Sequence, residues 1–280
     1  MTTCSKTPPA LLRRLLAIVV VAAICLAVPP TAKAQAPSNK DKEVTNAQML
    51  GIGATNILDT YLSPEKYKGL ELRYLSHTLR TRPDKYWARR IVHQGNVATA
   101  NDRNDKGNLM GGVYTLDLAW LRRFDLMDGR LLLRVGAMAD FNIGALYNSR
   151  NQNNPAQMRL SMQIGPTASA EYPFRLFGRQ MRASYELSAP LLGLMFSPNY
   201  GQSYYEIFSL GNYDHNAVLT TPFSAPSLRH MLTLDAQVLG TTLRIGYLGD
   251  IQQAEVNQLK QHYYTHALLI GFVKQLKISY

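Results

Sequence analysis

The stretch Arg130–Asn148, RLLLRVGAMADFNIGALYN, alternates between apolar and polar side chains along its whole length. Every odd position from Leu131 to Tyr147 is apolar or aromatic, whereas Arg134, Asp140 and Asn142 lie at even positions. Successive side chains of a β-strand point to opposite faces, so the pattern predicts a strand with one apolar and one polar face. An amphipathic helix would need a period of about 3.6 residues instead.

The same alternation recurs along the chain and predicts ten strands. We expect them at residues 47–58, 69–80, 87–99, 109–124, 130–148, 157–172, 181–192, 228–239, 241–250 and 262–276. Several exceed the ~5–6 residues of an ordinary globular strand. An even number of long strands is typical of bacterial outer-membrane barrels. The fold class we predict is all-β: a transmembrane, antiparallel, up-and-down β-barrel.

A soluble β-barrel with an apolar interior is the alternative. Aromatic residues near the ends of the apolar stripes, such as Tyr114, Trp120 and Tyr147, favour the membrane barrel instead. The long segment 193–227 is large enough to hold another pair of strands, which would raise the number to twelve.

The first 34 residues have the pattern of a secretory signal peptide. Basic residues precede an apolar run from Leu15 to Val28, and Ala32 and Ala34 form a cleavage signal before Gln35. We therefore expect a signal peptide at 1–34, a periplasmic linker at 35–46 and an outer-membrane barrel domain at 47–280. Both cysteines, Cys4 and Cys25, lie in the signal peptide, which excludes a disulfide scaffold.

The net charge of +11 is carried by a chain of which only 18% is charged and 46% is apolar, which excludes a disordered basic tail. No stretch after the signal peptide is long and apolar enough for a membrane-spanning helix. We expect the excess of basic residues to contact anionic lipid headgroups rather than nucleic acid.

The connections between the predicted strands form two classes. With both termini on the periplasmic side, short turns at Asp125–Gly129 and Gly240 are periplasmic. Longer polar loops at 101–108, 149–156 and 251–261, together with segment 193–227, then face outward. Pro166 and Pro190 each remove a hydrogen-bond donor, so we expect a bulge or a strand end at each.

Charged and polar residues on the inner face are candidates for lining the lumen. They are Asp117, Arg134, Asp140, Asn142, Arg159, Glu171, Arg182, Glu186, Asp235 and Arg244. Because both signs are present, they most simply form interlocking ion pairs that fill a narrow lumen. A selectivity ring of a small-solute porin is the alternative.

The outward segment that follows Gly193 is rich in Tyr and Asn. Candidate binding residues in it are Asn199, Tyr200, Tyr204, Tyr205, Asp214 and His215. Tyrosine offers contact area together with a polar tip, so this segment could bind a glycan or a protein partner. It could equally fold into the lumen as a plug.

Two enzyme classes were weighed and neither is favoured. An outer-membrane acyl hydrolase needs a His and a Ser on one face of a strand, but Ser76 and His77 are adjacent and point to opposite faces. A rim protease is suggested only by the single pair Asp214–His215. We assign no catalytic residue, no metal site and no cofactor.

Three blocks of sequence resemble a known family. They are Asn56–Glu65 (NILDTYLSPE), Tyr147–Ala156 (YNSRNQNNPA) and Ser197–Phe208 (SPNYGQSYYEIF), the last followed by Tyr213–Asn216. The chain resembles exported proteins of the Bacteroides group that carry the domain of unknown function 3316. The resemblance implies an outer-membrane setting and brings no activity or site residues.

The function we predict is that of a non-enzymatic outer-membrane barrel with a largely filled lumen and a structural, binding or narrow-pore role. An outer-membrane enzyme and a small-solute porin are the alternatives. The partners we expect are outer-membrane lipid and, at the outward loops, a glycan or a protein.

Overall fold

The computed structural model describes residues 42–82, 85–238 and 240–278. The predicted signal peptide and residues 35–41 of the predicted linker lie outside this part of the chain. In the described residues, no helix is long and apolar enough to cross a membrane.

Twelve strands and one short helix make up the described part of the chain. The strands are β1 (Lys42–Asp59), β2 (Ser63–Thr81), β3 (Trp87–Asn101), β4 (Asn108–Leu126), β5 (Leu131–Asn148), β6 (Ala156–Leu176), β7 (Arg179–Ser188), β8 (Leu192–Phe196), β9 (Ala217–Thr220), β10 (Leu228–Val238), β11 (Thr241–Val256) and β12 (Leu259–Ile278). The helix α1 (Tyr204–Phe208) lies between β8 and β9.

The strands close into an antiparallel barrel. Strands β1 to β6 pair in sequence order, β7 pairs with both β6 and β10, and β10, β11 and β12 continue the wall. The first and last strands then pair from Lys42↔Ile278 to Asp59↔Gln261 and close the ring. Because β8 continues the line of β7 along β6, the wall has ten strands, which confirms the predicted number.

Segment 193–227 does not add two strands to the wall. It contains most of β8 and all of β9, which pair with each other as a hairpin. Strand β8 also pairs with β6, from Ser161↔Met195 to Ile164↔Leu192. The twelve-stranded barrel is therefore not formed.

The wall is interrupted between β7 and β8, at the place where both strand prolines lie. Pro190 separates β7 from β8, and Pro166 lies opposite on β6, where its carbonyl oxygen accepts from the N–H of Ala189 at 3.2 Å. The register along β6 shifts by one residue between Thr167↔Ser188 and Ile164↔Leu192. Missing proline donors account for this break, as the sequence predicted.

The two ends of the barrel differ in their connections. The turn end carries the start of β1, the end of β12 and four short connections, around residues 82–86, 127–130, 177–178 and 239–240. The loop end carries the connections at residues 60–62, 102–107, 149–155, 197–227 and 257–258.

Several strand boundaries differ from those predicted, and two of these differences turn a predicted loop or linker into strand. The polar run Gln252-Gln253 and Glu255 suggested a loop at 251–261, but β11 continues to Val256 and a tight turn at Asn257 and Gln258 leads into β12. Both turn residues have positive φ, at 51° and 60°. Residues 42–46 of the predicted linker belong to β1, because all five pair with β12 and residues 43–46 pair with β2 as well.

The faces of the wall follow the predicted alternation. Apolar side chains on the outer face are more than half exposed: Leu50, Ile52, Leu70, Leu72, Val97, Ile143, Ile164, Ile245, Leu268 and Ile270. The inner face carries most of the buried polar residues and three apolar clusters, one of which unites Met49, Leu75, Val92, Met231, Leu248, Ala267 and Leu269. The barrel therefore has an apolar exterior and a mixed interior.

Candidate functional site

The interior of the barrel holds the largest group of charged residues. All ten residues that we predicted to line the lumen occupy inward-facing strand positions: Asp117, Arg134, Asp140, Asn142, Arg159, Glu171, Arg182, Glu186, Asp235 and Arg244. The structure brings most of them into contact with a partner of opposite charge, often on a distant strand.

One group of contacts crosses the lumen from β2 to β11. The Arg73 guanidinium donates to Glu71 Oε1 at 2.7 Å, to Gln94 Oε1 at 2.9 Å and to Asp250 Oδ2 at 3.2 Å. Both carboxylates and the guanidinium are almost fully buried. A buried charge needs such a set of partners, because isolation from water would otherwise cost several kcal/mol.

The second carboxylate oxygen of Glu71 has its own set of donors. Oε2 accepts from Asn96 Nδ2 at 2.8 Å and Thr265 Oγ1 at 3.0 Å. The hydroxyl of Tyr263 lies at 3.3 Å from the same oxygen. Glu71 therefore joins β2 to β3 and β12 across the interior.

The group continues from β11 to β10 and β5. Arg229 Nε lies 3.4 Å from Asp250 Oδ2, and Arg229 Nη1 donates to Asp140 Oδ2 at 2.6 Å. Asn142 in turn donates to Asp140 and to Ser161. Strands β2, β11, β10, β5 and β6 are thus connected by side chains through the lumen.

A second group of contacts crosses from β3 to β7. Arg90 Nη2 donates to Asp117 at 3.0 Å, and Arg90 Nη1 donates to Glu186 at 2.9 Å. His77 Nε2 lies 2.8 Å from the other oxygen of Glu186. One carboxylate on β7 is therefore held by cationic or polar groups from the opposite wall.

Contacts between neighbouring strands complete the set of ion pairs in the interior. Arg244 binds Asp235 through two hydrogen bonds of 2.6 and 2.8 Å, and Arg134 binds Glu171. Arg182 stands directly across the β7–β10 pair from Asp235.

The interior is also closed at the loop end. An apolar cluster joins residues of β1 to β5 and β12: Ile57, Leu62, Tyr67, Ala98, Ala100, Leu109, Leu146 and Tyr263. Asn148 on β5 donates to the hydroxyl of Tyr67 on β2 at 3.0 Å. Arg159 on β6 donates to Gln261 on β12 and lies 3.9 Å from Asp59 on β1. Opposite walls are therefore in direct contact below the loops.

Two small cavities lie beside these contacts. One, of about 40 Å³, is bordered by Arg159, Gln163 and Gln252, and another, of about 20 Å³, by Asp140 and Arg229. Volumes of this size hold a few water molecules at most.

Sequence reasoning missed about half of the interior charges, including Glu71, Arg73, Arg90, Arg229 and Asp250. Glu71 and Arg73 could have been found, because Leu70, Leu72 and Tyr74 alternate with them on β2. Arg90 was hidden because the outer face of β3 carries Arg89, His93 and Gly95 and gives no apolar stripe. Asp250 ends the predicted strand 241–250, whereas β11 continues to Val256.

The outward segment after β8 forms a packed structure at the loop end. Helix α1 begins with a capping box, in which Ser203 Oγ accepts from Glu206 N at 3.2 Å and Glu206 accepts from Ser203 N at 2.7 Å. The donation from the Ser203 backbone holds the pKa of Glu206 below its usual range. Asn257, in the β11–β12 turn, donates to the carbonyl oxygens of Ser197 and His215 and anchors both ends of the segment.

The six predicted binding residues of this segment divide into two sets. Tyr204 is structural: its hydroxyl accepts from Met158 N at 2.7 Å and donates to Gln157 Oε1 at 2.8 Å, and burial raises its pKa to about 12. Asn199 is also engaged, since its Nδ2 donates to the carbonyl oxygen of Asp214 at 2.8 Å. The side chains of Tyr200, Tyr205, Asp214 and His215 are exposed.

The residues weighed for catalysis are not arranged for it. His77 faces the interior and contacts Glu186, whereas Ser76, on the outer face, accepts from Gln48 at 2.9 Å. Asp214 and His215 are in contact at 2.6 Å, but both side chains are about three-quarters exposed. In the described part of the chain, no group of three His, Cys, Asp or Glu side chains could hold a metal ion.

The wall break leaves residues 252–256, at the loop end of β11, without a strand neighbour on one side. The β10–β11 pairs end at Leu228↔Ile251. Residues 221–227, which we call the strap, take the place of a strand. Glu255 N donates to the carbonyl oxygen of Ser224 at 2.7 Å, and Gln253 N donates to Ser227 Oγ at 3.4 Å.

Comparison with solved structures gives only distant likenesses. The translocator domain of the autotransporter NalP from Neisseria meningitidis is 10% identical, with a TM-score of 0.35, 93% of this chain covered and 97% of that one. The outer-membrane protease OmpT from Escherichia coli is 6% identical, with a TM-score of 0.38 and coverages of 88% and 99%. An outer-membrane channel from Pseudomonas putida F1 is 10% identical, with a TM-score of 0.33 and coverages of 89% and 100%. Likenesses at this level carry no argument about function.

No curated protein matches the chain significantly. A family model, in contrast, matches almost the whole chain, over residues 15–279, and is described as a protein of unknown function (DUF3316). The chain therefore belongs to the DUF3316 family.

Proposed function

We propose that this protein is an outer-membrane β-barrel that does not conduct and that acts through its loop end as a binding or structural protein. The membrane setting is supported by the predominantly apolar outer face, in which residues such as Leu50, Leu72, Ile143 and Leu268 are more than half exposed. Burial of so much apolar surface in lipid is strongly favourable, whereas in water it would promote aggregation.

Export and location belong to the same proposal. We expect the signal peptide at 1–34 to be cleaved before Gln35 and the source to be a member of the Bacteroides group. Mass spectrometry of the protein extracted from outer membranes tests the first point. We expect an N-terminus at Gln35, and a chain that retains Met1 in the cytoplasmic fraction would contradict the proposal.

The observation that carries the closed lumen is the set of contacts between opposite walls. Arg90 to Glu186 connects β3 to β7, and Arg229 to Asp140 connects β10 to β5. A water-filled porin would leave its charges apart and solvated, and one sign would often dominate. Here the acids and bases neutralise each other, which supports a filled interior.

Single-channel recording tests this proposal. The mature chain, from Gln35, is refolded into a planar bilayer, and its folded state is checked by a shift in gel migration on boiling. We expect no discrete conductance steps, while a porin in the same bilayer shows that the recording is sensitive. Discrete openings from folded protein would make it a narrow pore, with Arg134, Asp140 and Arg159 as the first selectivity residues to replace.

The loop end is the surface that we propose for binding. Its large side chains Tyr200, Tyr205, Phe208, Leu210 and Tyr213 are each more than half exposed. Exposed tyrosines supply contact area with a polar tip, so a glycan or a protein is the expected partner. Helix α1 and the hydrogen bonds from Asn257 to the carbonyl oxygens of Ser197 and His215 hold this surface in place.

Paired replacements test the binding role. The purified full chain is tested on an array of cell-surface glycans and proteins. We expect the double variant Tyr200→Ala/Tyr205→Ala to lose the binding that the unaltered chain shows there. Tyr86→Ala is the matched control, since Tyr86 is equally exposed but lies at the turn end. Equal binding by both variants would contradict a role for the loop end.

A further inference from the structure

A depression on the outer surface at the turn end differs in composition from the rest of the exterior. It has a volume of about 490 Å³ and lies where β2 ends and β3 begins, beside the start of β1. Five cationic side chains line it: Lys42, Arg80, Arg82, Lys85 and Arg89. We call it the basic pocket.

The strand register brings two of these cations directly together. Arg80 pairs with Arg89 across β2 and β3, and both side chains are exposed on the outer face. Like charges directly opposite each other destabilise a sheet. The pocket therefore contains a repulsion that a bound anion would relieve.

The cations of the basic pocket lack acidic partners within the part of the chain that the structure describes. None of the five takes part in an ion pair there, whereas the interior residues Arg73, Arg90 and Arg229 each contact at least one carboxylate. The sequence between Arg82 and Lys85 contains one acid, Asp84, which is not among the described residues. The sequence of the turn thus leaves a clear excess of positive charge.

Two tryptophans complete the lining of the pocket. Trp87 and Trp120, the only tryptophans of the chain, are 60% and 49% exposed. Trp120 pairs with Arg89 across β3 and β4, and Leu118 and Leu116 continue the same face of β4 towards the loop end. Tryptophan is enriched where membrane meets water, so two tryptophans in the lining are what a pocket at the level of lipid headgroups would carry.

We propose that the basic pocket binds the phosphate group of an anionic phospholipid in the membrane leaflet at the turn end. Guanidinium and ammonium groups are the usual donors to phosphate, and the bound phosphate would relieve the repulsion between Arg80 and Arg89. The apolar face from Trp120 to Leu116 fits the acyl chains of the same molecule, which a soluble anion would not use. This inference rests on the proposed membrane function.

The two tryptophans make the site directly observable. The full mature chain is refolded into phosphatidylcholine vesicles that contain a minor fraction of brominated lipid, whose bromine atoms quench nearby tryptophans. Either phosphatidylglycerol or phosphatidylcholine carries the bromine, at the same mole fraction. We expect brominated phosphatidylglycerol to quench more strongly, with a relative association constant at least about fivefold higher, the effect of one well-placed cation at a charged lipid surface.

Variants that remove the same charge at different places distinguish binding in the basic pocket from general electrostatic attraction to anionic lipid. We expect the double variant Arg80→Gln/Arg89→Gln to lose the preference for phosphatidylglycerol. The control Arg130→Gln/Arg179→Gln removes the same charge from exposed positions at the same end, outside the pocket, and should retain the preference. Equal loss in both variants would replace the proposed site with non-specific surface attraction.

Two further outcomes distinguish the remaining possibilities. If millimolar inorganic phosphate abolishes the preference, the pocket is a free-phosphate site and the lipid assignment is overturned. Strong but equal quenching by both brominated lipids overturns the inference and leaves the membrane barrel intact. Absence of quenching by either lipid would mean that the chain does not insert, and the proposed function itself would fail.

Discussion

Two parts of the barrel wall show how the same alternating pattern can give a continuous or an interrupted sheet. From β12 through β1 to β5, neighbouring strands pair over nearly their whole length, with 18 residue pairs between β1 and β12. Between β7 and β10 there are 8 pairs, and β8, which continues β7 along β6, pairs on its other side with β9 instead of β10. The difference comes from Pro166 and Pro190, not from the polarity of the strands. The interrupted part is also where the longest loop begins.

The largest loss of stability is expected from removing a contact that joins the two parts of the wall. Arg90, on the continuous side, holds Glu186 on the short strand β7 and Asp117 on β4. Arg90→Met leaves the buried carboxylate of Asp117 without its arginine and Glu186 with His77 alone, and breaking a buried pair in this way costs about 3–5 kcal/mol. Urea unfolding of the barrel in lipid vesicles should show this loss of stability.

A second arginine provides the matched control. Arg123 also binds a carboxylate, at 2.9 Å, but its side chain and that of Asp125 are 38% and 47% exposed. Exposed pairs contribute less than about 1 kcal/mol, so Arg123→Met should leave the unfolding midpoint nearly unchanged. Similar losses in both variants would show that the interior contacts are no stronger than surface ones.

The close packing of the continuous part can be tested at a glycine. A Cβ at Gly271 on β12 would meet the carbonyl oxygen of Gln48 on β1, so the backbones would have to separate. We expect Gly271→Ala to destabilise the barrel by about 1–3 kcal/mol, as overpacking does. At Gly95, where only Tyr114 Cδ2 lies near, at 4.0 Å, the same change should be tolerated. A tolerated Gly271→Ala would mean that β1 and β12 are less tightly joined than the register indicates.

In the interrupted part of the wall, we expect the loss of one hydrogen bond to affect only the amide that makes it. Ser227→Ala removes the strap oxygen that accepts from Gln253 N, whereas Glu255 N donates to a backbone carbonyl that the change leaves in place. One such hydrogen bond contributes about 0.5–1.5 kcal/mol. Hydrogen exchange at the Gln253 amide should therefore become faster, by up to about tenfold, with little change in the exchange rate at Glu255. Equal acceleration at both amides would indicate that the whole strap opens as one unit.

The smallest effect is expected at the loop that joins β3 to β4. Burial raises the pKa of Asp102, but hydrogen bonds from the N–H groups of Lys106 and Asn104 and from Arg150 outweigh it, so the pKa lies below the usual 3.8. These contacts therefore stabilise the loop above that pH and are lost as the pH falls through the lowered value. The NMR signal of the Lys106 amide in detergent micelles should titrate in this acidic range, and in Asp102→Asn the titration should disappear. A titration above pH 3.8 in the unaltered chain would contradict the lowered pKa.

The same comparison explains how far the fold was predictable. Alternation at Arg130–Asn148 and its repeats predicts the ten wall strands, because lipid-facing and inward-facing side chains must differ in polarity. The break at Pro190 was predictable for a similarly local reason, the missing donor. Residues 252–256 were misassigned, because polar side chains at the end of a strand resemble those of a loop.

The interior contacts were less accessible to sequence reasoning. Alternation indicates that Arg134, Asp140 and Glu186 face the lumen, but it does not say which partner each takes. Arg90 and Glu186 are 96 residues apart and meet only because their strands stand on opposite sides of the ring. Such pairings depend on the closed three-dimensional arrangement, and neighbouring residues give no signal of them.

The contacts across the lumen also bear on how the barrel is assembled. Hairpins such as β4–β5 can form early, because their strands are adjacent in the chain, but Asp117 and Asp140 both lie on that hairpin, and their arginine partners come from β3 and β10. Asp117 reaches Arg90 as soon as β3 pairs with β4, but Asp140 faces Asp117 without an arginine of its own until β10 arrives. Incomplete barrels are therefore penalised, and the final pairing of β1 with β12 is favoured by the neutralisation of charge as well as by backbone hydrogen bonds. Insertion of this chain should accordingly proceed with few stable intermediates.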